Sequence, residues 1–140
     1  MDTKRTAENL IRRFNTNNPF VIAGNLDIII IHSDMKNTLG FFNTYKRSKF
    51  IHLNNAMPEN LATFVCAHEL GHAICHHDIN TPFLKRHTLF STDRIEREAN
   101  AFAIELLIPD SLLQEHASCG LYNLAASLGI PVKLVELKQI

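Results

Sequence analysis

The sequence lacks a net charge: 14 Lys and Arg offset 14 Asp and Glu. That balance excludes a bulk electrostatic pull toward nucleic acid or an anionic membrane. Cysteine is scarce. Cys66, Cys75 and Cys119 form no CxxC pair and leave one odd thiol, which argues against a disulfide framework and for a reducing compartment. Long apolar runs are missing too. The stretch Ile28 to Ile31 is far short of a membrane span. Met1 to Arg13 mixes charges of both signs and lacks the apolar block of a secretion signal. Internal repeats and low-complexity linkers are absent. These absences predict a cytoplasmic protein without a membrane anchor.

With 140 residues, 46% hydrophobic and 20% charged, the chain has the composition and size of one globular domain. It is expected to form a single unit over residues 1–140, with the tail from 111 to 140 part of the same body. Thr3 to Phe14 reads as a helix, with Leu10, Ile11 and Phe14 at helical spacing. Asn18 is a good N-cap with Pro19 at the first helical position, which predicts a short helix over Phe20 to Gly24. Leu26 to His32 is a strand, and its four consecutive isoleucines suggest burial on both faces and a central place in the sheet. Thr38 to Tyr45 and Lys49 to Leu53 form a hairpin across Lys46-Arg47-Ser48. A long helix follows from Pro58 to about His76, then a loop from Asp78 to Ser91. A second long helix, Asp93 to Ile108, is capped by Ser91 or Thr92. Three short helices complete the tail: Ser111 to His116, Leu121 to Leu128 and Val132 to Lys138. Strands followed by helices give the α+β class, with about three strands packed on the long helix.

Eight histidines are many for this length. Two of them stand in His68-Glu69-Leu70-Gly71-His72, an HExxH pattern inside the long helix. Four residues is slightly more than one turn, so His68 and His72 project from one face and can grip one Zn²⁺. Glu69 is offset from that face, outside the ligand set but close to the attacking water, as a general base requires. The bare pattern arises by chance in about one shuffled chain in 40. Its surroundings strengthen it: Val65-Cys66-Ala67 and Ala73-Ile74 carry no charge and no proline, as a helix buried at the floor of a cleft would. A catalytic zinc also needs a third protein ligand and an open fourth position. Two carboxylates of the next helix are candidates for that place. Glu98, beside Ala99, Ala101 and Phe102, is the expected inward-facing ligand; Glu96, between Ile95 and Arg97, reads as more exposed. The alternative for Glu98 is a surface pair with Arg94.

The segment from His68 to Ile74, followed 26 positions after His72 by Glu98-Ala99-Asn100-Ala101-Phe102-Ala103 and then by Leu106-Leu107-Ile108-Pro109, closely resembles the ImmA/IrrE family of zinc metallopeptidases. The resemblance covers about residues 38–137, including the hairpin before the metal helix and the tail from Leu124 to Lys138. It implies a small gluzincin-like fold, with His68, His72 and Glu98 as zinc ligands and Glu69 as the base. It also implies an endopeptidase of narrow specificity from a bacterium, phage or mobile element. The substrate would be a transcriptional repressor, a helix-turn-helix DNA-binding protein, whose cleavage switches genes on.

Other residues have weaker claims. Tyr45, His87 and Tyr122 are candidates for a second donor to the oxyanion. Asn100 and Asp93 are candidates for orienting a ligand imidazole through its other nitrogen. His76 shares a face with His68 and His72, and a supporting hydrogen bond is expected of it rather than ligation. Cys66 and Cys75 lie off the ligand face as core thiols. His32, His52 and His116 read as strand or surface histidines. Phe83 and Phe90 are candidate cleft contacts, and the edge of Thr38–Tyr45 is a candidate platform for an extended substrate. A rival reading takes the protein as a metal-bound interaction module that remodels a partner without cutting it; an intact Glu69 disfavours it. A second rival makes the tail a helix-turn-helix, but Lys133 and Lys138 are its only basic groups, too few for a DNA-reading helix. No direct nucleic-acid contact is expected, and no oligomer signature is visible.

Overall fold

The computed structural model describes residues 2–78, 84–85 and 89–140. Helix α1 (Thr3–Phe14) opens on Asp2, whose carboxylate accepts from the Arg5 amide. Helix α2 (Pro19–Asn25) is capped by the Asn18 side chain, with Pro19 in its first turn, as the sequence predicts. Then come β1 (Ile28–Ser33), β2 (Thr38–Tyr45), β3 (Ser48–Asn54), α3 (Glu59–Cys75), the two-residue β4 (Leu84–Lys85), α4 (Arg94–Leu107), α5 (Asp110–Glu115), α6 (Leu121–Ser127) and a 3-10 helix over Val132–Leu137. The class is α+β. Three full strands and the short β4 form one sheet in the order β1-β3-β2-β4.

The hairpin between β2 and β3 is antiparallel and closes through Lys46 and Arg47, both at positive φ (49° and 72°). Two left-handed residues in a two-residue connection match the twist of the flanking strands. β1 runs parallel to β3, with Ile30 opposite Ile51. This overturns the central position expected for the isoleucine run. β3 lies in the middle, β1 on the outside, and Ile29 is 48% exposed. Only Ile28 of the run is buried. An apolar run fixes burial of a strand only where both faces are covered, and here the second face is not. β4 pairs with β2 at Thr38 and Gly40, and so occupies part of the edge expected to receive substrate.

The sheet rests on α3. From Phe64 to Ala73 every residue of this helix is buried, the mark of a helix surrounded on all sides. Gly40 lets β2 lie close: a Cβ there would stand 2.7 Å from the His52 carbonyl oxygen and 3.0 Å from Val65 Cγ1. On its other side α3 meets α4 at Gly71, where a Cβ would come within 3.3 Å of the Ala99 backbone and 3.1 Å of Phe102. One hydrophobic cluster joins α1, α2, sheet, α3 and α4, and it includes Leu124, Ala125, Ile130, Leu134 and Val135 of the tail. Lys138, counted above among basic groups open to a partner, is buried. Its ammonium donates to Glu105 Oε1 at 2.6 Å and Asp110 Oδ1 at 2.8 Å.

Candidate metal centre

α3 and α4 each contribute one face. On α3, His68 and His72 are one turn apart and both fully buried. On α4, the buried positions Glu96, Ala99, Asn100 and Ala103 fall at spacings of three and four, so they form one stripe toward α3. The close approach at Gly71 brings the stripe near enough for its side chains to reach the histidines. His68, His72 and Glu96 place their ligand atoms within 4.8 Å of one another. His72 Nε2 lies 2.5 Å and His68 Nε2 3.7 Å from Glu96 Oε1.

Glu96, not Glu98, therefore completes the cluster. Glu98 sits two residues on, about 200° round the helix. Its carboxylate lies 3.3 Å from His76 Nε2 and 3.8 Å from Arg94 Nη1. The Arg94 pair is the alternative that the sequence left open. Immediate neighbours in the sequence mislead on a helix, because Ala99 and Ala101 point in different directions. Counting back four from Asn100 would have found Glu96.

The protonation pattern follows from the hydrogen bonds. Asn100 Nδ2 donates to the Leu89 carbonyl at 2.7 Å, which fixes its amide and leaves Oδ1 facing His68 Nδ1 at 2.7 Å. An amide oxygen only accepts, so His68 carries its proton on Nδ1 and, when neutral, presents a lone pair at Nε2. Asn100 thus orients the His68 imidazole through its Nδ1. Asp93, the other candidate, is exposed at the start of α4. His72 Nδ1 lies 3.0 Å from His76 Nδ1.

Unpaired polar atoms mark the centre of the cluster. His68 Nε2, Glu96 Oε1 and both carboxylate oxygens of Glu69 are buried without a hydrogen-bond partner among the described residues. Such orphans are costly unless something satisfies them. Burial works against a charge on Glu96, yet His68 and His72 hold its pKa down at about 2. Burial also opposes a cation on His68, but Glu96, Glu69 and Asn100 together raise its pKa. Burial lowers the pKa of His72 despite Glu96. Burial pushes Glu69 up to about 7, with His68 opposing and Glu96 assisting. Two imidazole nitrogens and a carboxylate, convergent and dry, are the donor set of a transition-metal cation, and His68 Nε2 and Glu96 Oε1 are the orphaned atoms it would satisfy.

The remaining candidates fall elsewhere. Tyr45 and Tyr122 are 61% and 59% exposed. His87 and Phe83 lie outside the described residues. Phe90 is 42% exposed, with the Lys133 ammonium 5.5 Å from its ring centre. His52 stacks on Phe41 and bonds Asn43, while His32 and His116 are at the surface. Cys66 is buried, and burial raises its pKa; burial also pushes the Cys75 thiol up, to about 11. Among the described residues no helix is long and apolar enough to cross a membrane.

Comparison with known proteins agrees with this geometry. The family model of the IrrE N-terminal-like domain, Peptidase_M78, matches residues 23–138. "Uncharacterized immunity region protein 2" of Bacillus phage phi105 is 39% identical over 140 residues, covering 98% of this chain and 89% of the relative. "Metallopeptidase ImmA" of Bacillus subtilis (strain 168) is 31% identical over 114 residues, covering 80% of this chain and 66% of the relative. With the matched region spanning the sheet, both site helices and the tail, the chain belongs to the IrrE N-terminal-like family of metallopeptidases.

Proposed function

We propose that this protein is a zinc-dependent endopeptidase of narrow specificity that cleaves a transcriptional repressor, with His68, His72 and Glu96 as metal ligands and Glu69 as general base. The observation that carries the reading is the convergence of three metal-donor groups on a point where buried atoms lack partners, with the carboxylate of Glu69 beside it. A zinc ion held there would act as a Lewis acid, polarising a peptide carbonyl and lowering the pKa of water. The chain's own groups do the rest. Among the described residues nothing hydrogen-bonds the Glu69 carboxylate, and burial holds its pKa up at about 7, close to the working pH of a proton shuttle. It accepts a proton from the attacking water and returns it to the leaving amine nitrogen. Asn100 keeps the His68 ring in one tautomer and orientation.

The substrate class rests on the resemblance to the ImmA/IrrE family and on the name of the phage relative, which places that protein in an immunity region. A repressor acts in the cytoplasm, and the protease is placed there with it. The test is incubation of purified protein and Zn²⁺ with the repressor encoded beside it, next to a Glu69→Gln variant. Discrete fragments from the wild type and none from the variant are expected. An equal effect of both proteins on the repressor's DNA binding, without fragments, would support the interaction module instead.

A further inference from the structure

We infer that His76 and Glu98 form a positioning relay that fixes the tautomer of His72 from behind. The inference rests on the metal-centre reading above, and it assigns a role to two residues outside the ligand set. The geometry is a line of three groups. Glu98 Oε1 lies 3.3 Å from His76 Nε2, and His76 Nδ1 lies 3.0 Å from His72 Nδ1. His72 and His76 are buried at 1% and 7% exposure, so bulk water does not substitute freely for these partners.

The direction of each hydrogen bond is set by the end group. An ionised carboxylate only accepts, so His76 donates from Nε2 to Glu98. Neutral His76 then has a lone pair on Nδ1, and the bond to His72 forms only if His72 donates from its own Nδ1. His72 Nε2 is thereby left as the lone pair, 2.5 Å from Glu96 Oε1. A lone pair facing a carboxylate oxygen is an arrangement that a cation bound to both would satisfy. The same outcome is reached at His68 through Asn100 and the Leu89 carbonyl. The two ligand rings are thus set by unlike devices, one by an amide locked to a backbone carbonyl and one by an imidazole locked to a carboxylate. Arg94 and Cys75 also face Glu98. Arg94 Nη1 lies 3.8 Å away, and the Glu98 charge adds to the burial that raises the Cys75 pKa. Partners of this kind orient a metal-binding histidine and raise its basicity.

The spacing explains why the relay exists. His76 follows His72 by one turn, so both side chains leave α3 on the same side. Glu98, displaced from the ligand stripe of α4, meets the second histidine instead of the first. The two carboxylates in the first turns of α4, Glu96 and Glu98, are therefore divided, one for the metal and one for its support.

The test is a zinc competition titration against a chromogenic chelator, with ¹⁵N NMR of the imidazoles in the metal-free protein, on wild type, His76→Phe, His76→Asn, Glu98→Ala and Glu96→Ala. His76→Phe removes the acceptor and is expected to weaken zinc binding about 10- to 100-fold. His76→Asn offers an amide oxygen where Nδ1 stood, and is expected to restore affinity to within about threefold of wild type. Glu98→Ala should fall between them. In wild type the proton of His72 should reside on Nδ1, and in His76→Phe the two tautomers should mix. A folded His76→Phe protein with wild-type zinc affinity and an unchanged His72 tautomer would overturn the relay while leaving the metal centre intact, provided Glu96→Ala loses zinc in the same titration. Wild-type protein that takes up no zinc would instead reject the metal-centre reading on which the relay rests.

Discussion

At the scale of one residue, the role proposed for Glu69 separates binding from chemistry. Among the described residues its carboxylate has no hydrogen-bond partner, and it lies outside the His68, His72 and Glu96 cluster. Glu69→Gln should therefore keep stoichiometric zinc, measured by atomic emission on dialysed protein, while lowering repressor cleavage by at least about 100-fold, as loss of a general base does. Loss of zinc from that variant would show that Glu69 is a ligand instead. The same scale shows what could be read from the residues alone. The convergence of His68 and His72 was legible because a fixed spacing on one helix determines which side chains share a face. Asn100 was legible as an imidazole partner. The third donor was not: choosing between Glu96 and Glu98 depends on which stripe of α4 faces α3, and the contact between Gly71 and Ala99 decides that.

Elements set how closely the site is held. Gly71 stands between the two histidines, against the backbone of Ala99. Gly71→Ala gains about 1 kcal/mol of helix propensity, but overpacking against a backbone costs about 1–3 kcal/mol, and the helices must part. We predict a small change in melting temperature and a loss of zinc affinity of about tenfold or more, since ligand geometry suffers before the core does. The hairpin gives a prediction of the opposite sign. Lys46 and Arg47 hold left-handed backbone that Asn-Gly adopts readily, so Lys46→Asn with Arg47→Gly should stabilise the fold by about 0.5–1 kcal/mol. A urea melt that shows no gain would count against this turn geometry. Helix boundaries were legible from Asn18, Pro19 and Pro109, because caps and proline act locally. The edge position of β1 was not, since strand order depends on a parallel pairing with β3 that no local pattern encodes.

Across the whole molecule, one polar network, buried at Lys138 and Glu105, ties the chain's two ends to α4. Lys138 bonds Glu105 and Asp110, the Gln139 amide donates to Glu105 Oε2 at 2.7 Å, and Lys4 bonds Asp110 and the Gln139 carbonyl. Sequence reasoning missed it because Lys138 lies 33 positions from Glu105 and reads as a surface cation. Lys138→Ala would leave Glu105 buried without its partner, at a cost of about 3–5 kcal/mol, and Lys138→Met with Glu105→Leu should recover most of it. Denaturant unfolding of the two variants checks both. The network also sets a pH window. Lys138 and Lys4 hold the Asp110 carboxyl below its usual 3.8. Its contribution is complete above that value and fades as pH falls through the depressed folded pKa. The Lys4 pKa is raised above 10.5 by its bond to Asp110, against slight desolvation, so its contribution is complete below 10.5 and fades as pH rises beyond it. Melting temperature should therefore be insensitive to these two groups between about pH 5 and 9 and decline outside that range.

The claim on which the enzyme reading stands is that α3 and α4 together hold one divalent cation through His68, His72 and Glu96. Crystals of the zinc-loaded protein, with anomalous scattering recorded at the zinc edge, test it most directly. The account predicts a single peak bonded to His68 Nε2, His72 Nε2 and a carboxylate oxygen of Glu96, with Glu98 still against His76. A peak ligated by Glu98, with Glu96 turned away, would contradict it, as would crystals grown in excess zinc that show no peak between the two helices.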